Sequence, residues 1–219
     1  MWIPGIDVSH FQGTVDWTQV AAGGMAFCFI KATEGTGIAD ACFKQNWAGS
    51  SAAGLKRGAY HFGHPGMDAQ VQAQFFFNTV GALASDDLPP VLDIETLDQG
   101  SPENALQWVL KFTTAADDLF GRQTLIYTDN GFWESLASLT GCEKLAIRPL
   151  WIADYEAAGE PAVPSPWQAW SCWQYSEDPA SAKPLPRVPG VNGAVDRDWF
   201  QSVALQSLTS PSTASQGLS

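Results

Sequence analysis

Short apolar or β-branched runs recur along the chain, each bounded by Gly, Pro or Asp. They cover residues 5–9, 26–33, 56–63, 88–95, 124–129, 149–155, 171–176 and 193–200. Runs of this length and make-up predict buried strands. Helical spacing appears between the early runs, at 16–22, 38–53, 68–84, 102–120 and 130–139. The clearest helix start is Ser101-Pro102-Glu103: a capping hydroxyl, a proline where no N–H is missed, and an acid near the positive helix end. Gly121 supplies the matching stop, and Asp16 is expected to be the N-terminal acid of a short helix. The links 156–170 and 177–192 are rich in Pro and Gly, lack a helical period, and are predicted loops. Strand–helix alternation that fades into bare strands predicts an α/β fold: an irregular TIM-like barrel, (β/α)5(β)3, of eight strands with an incomplete helical ring. The 219 residues fall below the roughly 250 of a regular barrel, as missing helices require. The barrel is assigned to 1–206, with 207–219, rich in Ser and Thr, as a flexible tail.

Composition narrows the function. Hydrophobic residues make up 45% and charged residues 16%, which suits a well-buried globular protein. Ten Trp, twelve Phe and four Tyr are a heavy aromatic load, most of it expected in the core, though flat aromatic faces can also stack sugar rings. The formal net charge of −12 argues against nucleic acid as a partner and against electrostatic attraction to anionic membranes or wall polymers. Affinity for a wall must then come from a shaped cleft. No stretch approaches the ~18 apolar residues of a membrane span, and the start shows no basic segment followed by an apolar one, so no signal peptide is visible. Cys28, Cys42, Cys142 and Cys172 lack metal-ligand spacing, so neither metal nor cofactor is expected. Buried free thiols are the expected state, with a Cys28–Cys42 or Cys142–Cys172 bridge as the alternative.

In a parallel barrel, chemistry gathers at the C-terminal ends of the strands. The residues predicted there are Asp7, Thr33 with Glu34, His61, Asp93 with Glu95, Asp129, Asp154, Gln174 and Asp196. Asp93 and Glu95 are central. Residues i and i+2 of a strand point the same way, so both carboxylates should enter the barrel mouth while Ile94 packs behind. Carboxylates that close resist simultaneous ionisation, and one member can stay protonated. Glycoside hydrolysis needs such a pair: a proton for the leaving oxygen, and negative charge for the developing oxocarbenium ion. The expected division makes the longer Glu95 the acid and Asp93 the anion. A solvated strand end is the plain alternative for any single D-x-E.

The sequence resembles the GH25 glycoside hydrolases, the Chalaropsis-type or phage-type lysozymes, over about residues 4–201. The resemblance rests on Gly5-Ile-Asp7-Val-Ser-His10-Phe-Gln-Gly13, Phe29-Ile-Lys31-Ala-Thr-Glu34-Gly35 and Gly58-Ala-Tyr60-His61-Phe62. It continues through Asp93-Ile-Glu95, Leu150-Trp151-Ile-Ala-Asp154-Tyr155, Trp173-Gln174-Tyr175 and Val195-Asp196. It implies a flattened barrel and an N-acetylmuramidase, cutting the β-1,4 bond between N-acetylmuramic acid and N-acetylglucosamine in bacterial peptidoglycan. By the same resemblance Glu95 is the proton donor, and Asp93 stabilises the transition state or positions the substrate's 2-acetamido group. Asp7 and Asp196 are further acids of the pocket. Asp198 departs from the pattern, standing where Asn is expected, and Tyr127-Thr-Asp129-Asn130 is more acidic than usual.

Other residues carry two readings each. Tyr60 and Phe62 alternate with His61, so one set faces the mouth and the other packs outward. Trp151, Tyr155, Trp173 and Tyr127 are core aromatics by default and sugar-stacking residues by resemblance. Glu34 either pairs with Lys31 or contacts substrate, and Asp129 and Asp154 either line the site or meet water. The competing functions are a chitinase-like hydrolase, disfavoured by Val91 two residues before Asp93, and a barrel that binds peptidoglycan without cutting it. A monomer is expected. A phage endolysin, held in the host cytoplasm before release onto the wall, is the expected setting; export by another route is the alternative.

Overall fold

The structure, a computed structural model, describes residues 1–177 and 185–209. Eight strands close into a barrel in the order β1 (Trp2–Val8), β9 (Asp196–Gln201), β8 (Cys172–Ser176), β7 (Leu150–Ala153), β6 (Leu125–Asp129), β5 (Val91–Asp93), β4 (Lys56–Phe62) and β2 (Phe27–Glu34), with β1 pairing back onto β2. All neighbours are parallel except β9, which runs antiparallel to both β1 and β8. Helices α1 (Trp17–Ala22), α2 (Phe43–Ala52), α3 (Ala69–Val80), α4 (Pro102–Phe120) and α5 (Asn130–Ala137) follow the first five barrel strands. Among the described residues no α-helix follows the next two strands, as the fading alternation predicts.

Local chemistry explains the helix ends. Ser101 Oγ accepts from Asn104 N, Pro102 opens α4, and Gly121 closes it at φ 65°, a left-handed conformation that glycine adopts without strain. Asp16, Asp68 and Asp129 cap α1, α3 and α5 through their side chains. The periodic run at 38–53 resolves differently. Ile38–Ala39 forms β3, a short strand antiparallel to β2, and α2 begins only at Phe43. At the far end α6 (Ser202–Thr209) crosses the expected boundary at 206/207. Leu208 packs onto the barrel-interior cluster and its carbonyl accepts from Arg122. The rest of the expected tail lies outside the described residues.

Two apolar layers follow from the strand period of two. Phe27, Phe29, Val91, Leu125, Trp151, Cys172 and Phe200 point into the barrel; Cys28, Ile30, Leu92, Ile126 and Ile152 point out, under the helices. Gly5 and Gly58 make room inside, because a Cβ at either would sit about 2.4–2.5 Å from the rings of Phe27 and Phe29. Trp151 stacks on Phe29 at 4.3 Å and closes the floor of the mouth. The four cysteines are free thiols, three of them buried, so neither alternative bridge forms. Burial pushes the Cys28 thiol up to about 12, far from a reactive thiolate.

Candidate active site

Above the Phe29–Trp151 floor the interior changes from apolar to acidic. A cavity of about 250 Å³ opens at the C-terminal rim, lined by Asp7, Tyr60, Asp93, Glu95, Gln174 and Asp196 among others. β9 enters from the opposite direction, so Asp196 reaches the same rim from the start of its strand, in register with Asp7.

Asp93 ends β5, and the ladder carries one step further. Gly63 N donates to Asp93 O at 2.8 Å and Ile94 N to Tyr127 O at 3.0 Å. The segment is thus held extended to Ile94, whose side chain is fully buried on the helical side. Asp93 and Glu95 both line the cavity, as the i, i+2 spacing predicts. Their surroundings differ. Asp93 is buried, with Oδ1 finding no donor among the described residues, whereas Glu95 stands exposed at the lip. Burial raises the Asp93 carboxyl well above its usual range, and the Glu95 charge adds to this. Glu95 is raised as well, by partial desolvation where its carboxyl faces the cavity and by the charge of Asp129. Both shifts have the same sign, so the pair retains a proton above the ordinary carboxylate range. Desolvation acts on both, so the clean split expected from side-chain length alone is absent here.

Asp7 is held from the opposite wall. Gln174 Nε2 donates to Asp7 Oδ2 at 2.7 Å, and Gln174 Oε1 accepts from both Tyr127 Oη and Tyr155 Oη at 2.7 Å. This chain of hydrogen bonds fixes three strands relative to one another around one carboxyl. Burial lifts the Asp7 pKa to about 6, against the lowering by its bonds to Gln174 and Asp198. Lys31 is the basic residue of the lining. Its Nζ pairs with Glu34 at 2.6 Å and lies 5.1 Å from the Phe62 ring centroid, and its charge opposes the rise of both central acids.

The structure redistributes several expected residues. Tyr60, Phe62, Tyr127 and Trp151 line the cavity. Trp151 does so as a floor, 2% exposed, with Nε1 donating to Asp198 at 2.8 Å. Trp173 does not reach the cavity. It lies between Cys172 and Gln174, which point inward, so the strand period turns its indole outward onto Trp2, Trp170 and Tyr175. Glu34 is also absent from the lining. After a register shift between Lys31 and Thr33, Glu34 pairs with Lys31, one of its two expected readings, and with His64. His61 faces the helices, bonded to Thr33 and Gln72 and stacked on Phe112; burial holds it neutral, with a pKa of about 4.

A second cleft of about 430 Å³ adjoins the first. Glu95 and Tyr127 belong to both clefts, and the new one adds Asp129, Asp154, Tyr155 and Glu177. Asp129 does double duty as the cap of α5, accepting from Phe132 N at 2.9 Å. On the opposite side of the mouth Phe11 is 81% exposed and touches the His10 ring at 4.2 Å. Its one-turn 3-10 segment, His10–Gln12, is pinned by a capping box with Ser9, by Gln12 to the Ala194 carbonyl, and by His10 to Asp40. Ser9, Phe11 and Gln12 stand in the Gly5–Gly13 motif with no residue type that marks them as lining, and Gln174 reads only as a strand end. No group of three or more His, Cys, Asp or Glu suited to a metal ion occurs among the described residues.

Residues 6–183 match the family model described as glycosyl hydrolases family 25. The chain is 37% identical over 216 residues to lysozyme M1 of Streptomyces globisporus, covering 94% of this chain and 70% of that one. The solved bacterial lysozyme of Streptomyces coelicolor superposes with a TM-score of 0.84 at 35% identity, over 95% of this chain and 97% of that one. The CTP1L endolysin is a further structural relative, with a TM-score of 0.76 and 27% identity over 94% of this chain and 69% of its own.

Proposed function

This chain belongs to glycosyl hydrolases family 25, and from that premise we propose how its cavity performs the family's chemistry. The protein is a glycoside hydrolase of the lysozyme type, acting on bacterial peptidoglycan as a muramidase. Glu95 is the general acid, protonating the oxygen of the β-1,4 bond that links N-acetylmuramic acid to N-acetylglucosamine. The observation that carries this assignment is its position: Glu95 is the one acid common to the two adjoining clefts. A glycan laid through both must cross from one to the other beside it. Asp93 lies deeper, on the side where the sugar that becomes the oxocarbenium ion would sit.

Asp93 acts as the anion of the reaction. Positive charge developing on the sugar, or on an acetamido group that attacks the anomeric carbon, favours an ionised Asp93. The shared proton is thereby driven onto Glu95 just when the leaving oxygen needs it. Asp7, oriented by Gln174, and Asp196 bind sugar hydroxyl or amide groups around that carbon. Tyr60, Phe62, Tyr127 and Tyr155 supply ring faces and hydroxyls along the groove. The cell wall is the site of action, and the likeness to an endolysin supports release from within an infected host as its setting.

The test is clearance of a peptidoglycan suspension. Wild type should clear it, and Glu95→Gln should lose on the order of 10²–10⁴-fold in rate, the usual contribution of a positioned general acid. A Glu95→Gln protein that clears walls at the wild-type rate removes Glu95 from the mechanism.

A further inference from the structure

Asp198 has no part in the scheme above, yet it is the most enclosed acid in the molecule's mouth, with 0% exposure. It lies one inward step below Asp196 on β9, opposite Gly5 of β1 and Gln174 of β8. Its Oδ1 accepts the Trp151 indole N–H at 2.8 Å. Its Oδ2 is fully buried and meets no donor among the described residues, and the Asp7 carboxyl of the neighbouring strand β1 stands against it. Two ionised carboxylates offer acceptors only, so such a contact in a dry interior is repulsive unless a proton lies between them.

Among the described residues the surroundings give no cation to relieve it. Asp7 faces it from β1 and Asp196 from its own strand, Cys28 and Cys172 lie near it on β2 and β8, and Tyr175 adds a phenol. Arg197, next in sequence, points to the other face and bonds the Pro186 carbonyl. Lys31 is engaged with Glu34. Asp7 already receives the Gln174 amide and opens onto the cavity, so it is the better anion of the two. Asp198, enclosed and supported by a single N–H, is the better place for the proton.

We propose that Asp198 is a neutral acid at working pH, donating a hydrogen bond to Asp7 and so acting as a positioning residue for the Asp7 carboxylate. Its protonation stands on its complete burial, its single donor and the donorless Oδ2 beside Asp7; its effect on turnover rests on the muramidase reading. Burial and the charges of Asp7 and Asp196 push the Asp198 carboxyl well above its usual range, in the same direction.

The experiment is a pH titration of side-chain carboxyl carbons by NMR on 13C-aspartate-labelled protein, for wild type, Asp198→Asn and Asp198→Leu. In wild type the Asp198 carbon should keep its neutral-acid shift at about pH 7, where an unperturbed Asp, with a pKa of about 3.9, is ionised. Asn keeps a donor to Asp7 and an acceptor for Trp151, whereas Leu has neither. Asp7 should therefore titrate higher in Asp198→Leu than in Asp198→Asn, and Asp198→Leu should lose on the order of tenfold more in kcat. Titration of Asp198 near 4 overturns the proposal whatever the enzyme cleaves. Equal Asp7 titration in the two variants overturns the positioning role. If Asp198→Leu does not fold, the wild-type titration still decides whether the proton is there.

Discussion

At Trp173 the indole packs edge-on against Trp2 at 5.7 Å, and its N–H goes to the Asp154 carbonyl at 2.8 Å. Truncation to Ala should cost about 3–5 kcal/mol of stability, the usual range for a buried Trp, and leave the KM of the folded protein unchanged. A raised KM with unaltered melting would put the ring back in the sugar groove. One position on, Gln174 points inward and holds Asp7, Tyr127 and Tyr155. In the Trp173-Gln174-Tyr175 segment aromatic type points to Trp173 as the sugar contact, while the chemically plainer Gln174 amide is the one that faces the cavity. Strand period alone could have separated them, had Cys172 been read as an interior residue. At Glu34 the pairing reading holds, its carboxylate meeting Lys31 at 2.6 Å; the bulge between Lys31 and Thr33, which turns Thr33 onto His61, leaves no mark in composition.

The element that presents Phe11 is a single 3-10 turn, too short for any periodic signal. Its rigidity comes from Ser9, Gln12 and Asp40 rather than from helix propensity, and an exposed ring on a pinned turn is pre-organised for a flat ligand. Phe11→Ala should raise KM on polymeric peptidoglycan by roughly three- to tenfold, the worth of one aromatic contact, with kcat nearly intact. Steady-state kinetics on soluble glycan fragments checks it, and an unaltered KM excludes the ring from the groove. Longer elements were far more legible. The Ser101-Pro102 start and Gly121 stop of α4 stand in the structure as written, because caps act through a few local bonds. The run at 38–53 was misread at its front because β3 pairs with β2, a tertiary event that outweighs local spacing.

Across the whole molecule, a barrel closed by apolar alternation leaves its mouth to acids that the fold must keep dry. These acids act against stability. Asp7 rises from 3.8 to about 6, so between those values the folded state retains a proton that the unfolded chain has released. Stability therefore falls as pH climbs through that window, by up to about 3 kcal/mol for this group at neutral pH. Burial of His61 works the other way between about 4 and 6.5, so the wild-type curve sums opposite slopes and a variant isolates one. Asp7→Asn should melt higher than wild type at pH 7, the difference vanishing toward pH 4, while activity drops; a difference independent of pH contradicts the burial argument. Barrel and central acids were legible at this scale because closure depends on period and on rim position, both visible in one dimension. A retained proton on the Asp93–Glu95 pair is legible in its spacing, whereas the complete burial of Asp198 beside Asp7 depends on packing and is not.

Mass spectrometry of the fragments released from purified peptidoglycan tests the central claim most directly. Muropeptides ending in a reducing N-acetylmuramic acid, formed by wild type and missing from a Glu95→Gln digest, are the predicted outcome. Fragments ending in reducing N-acetylglucosamine, or the same products from Glu95→Gln at the same rate, would contradict it.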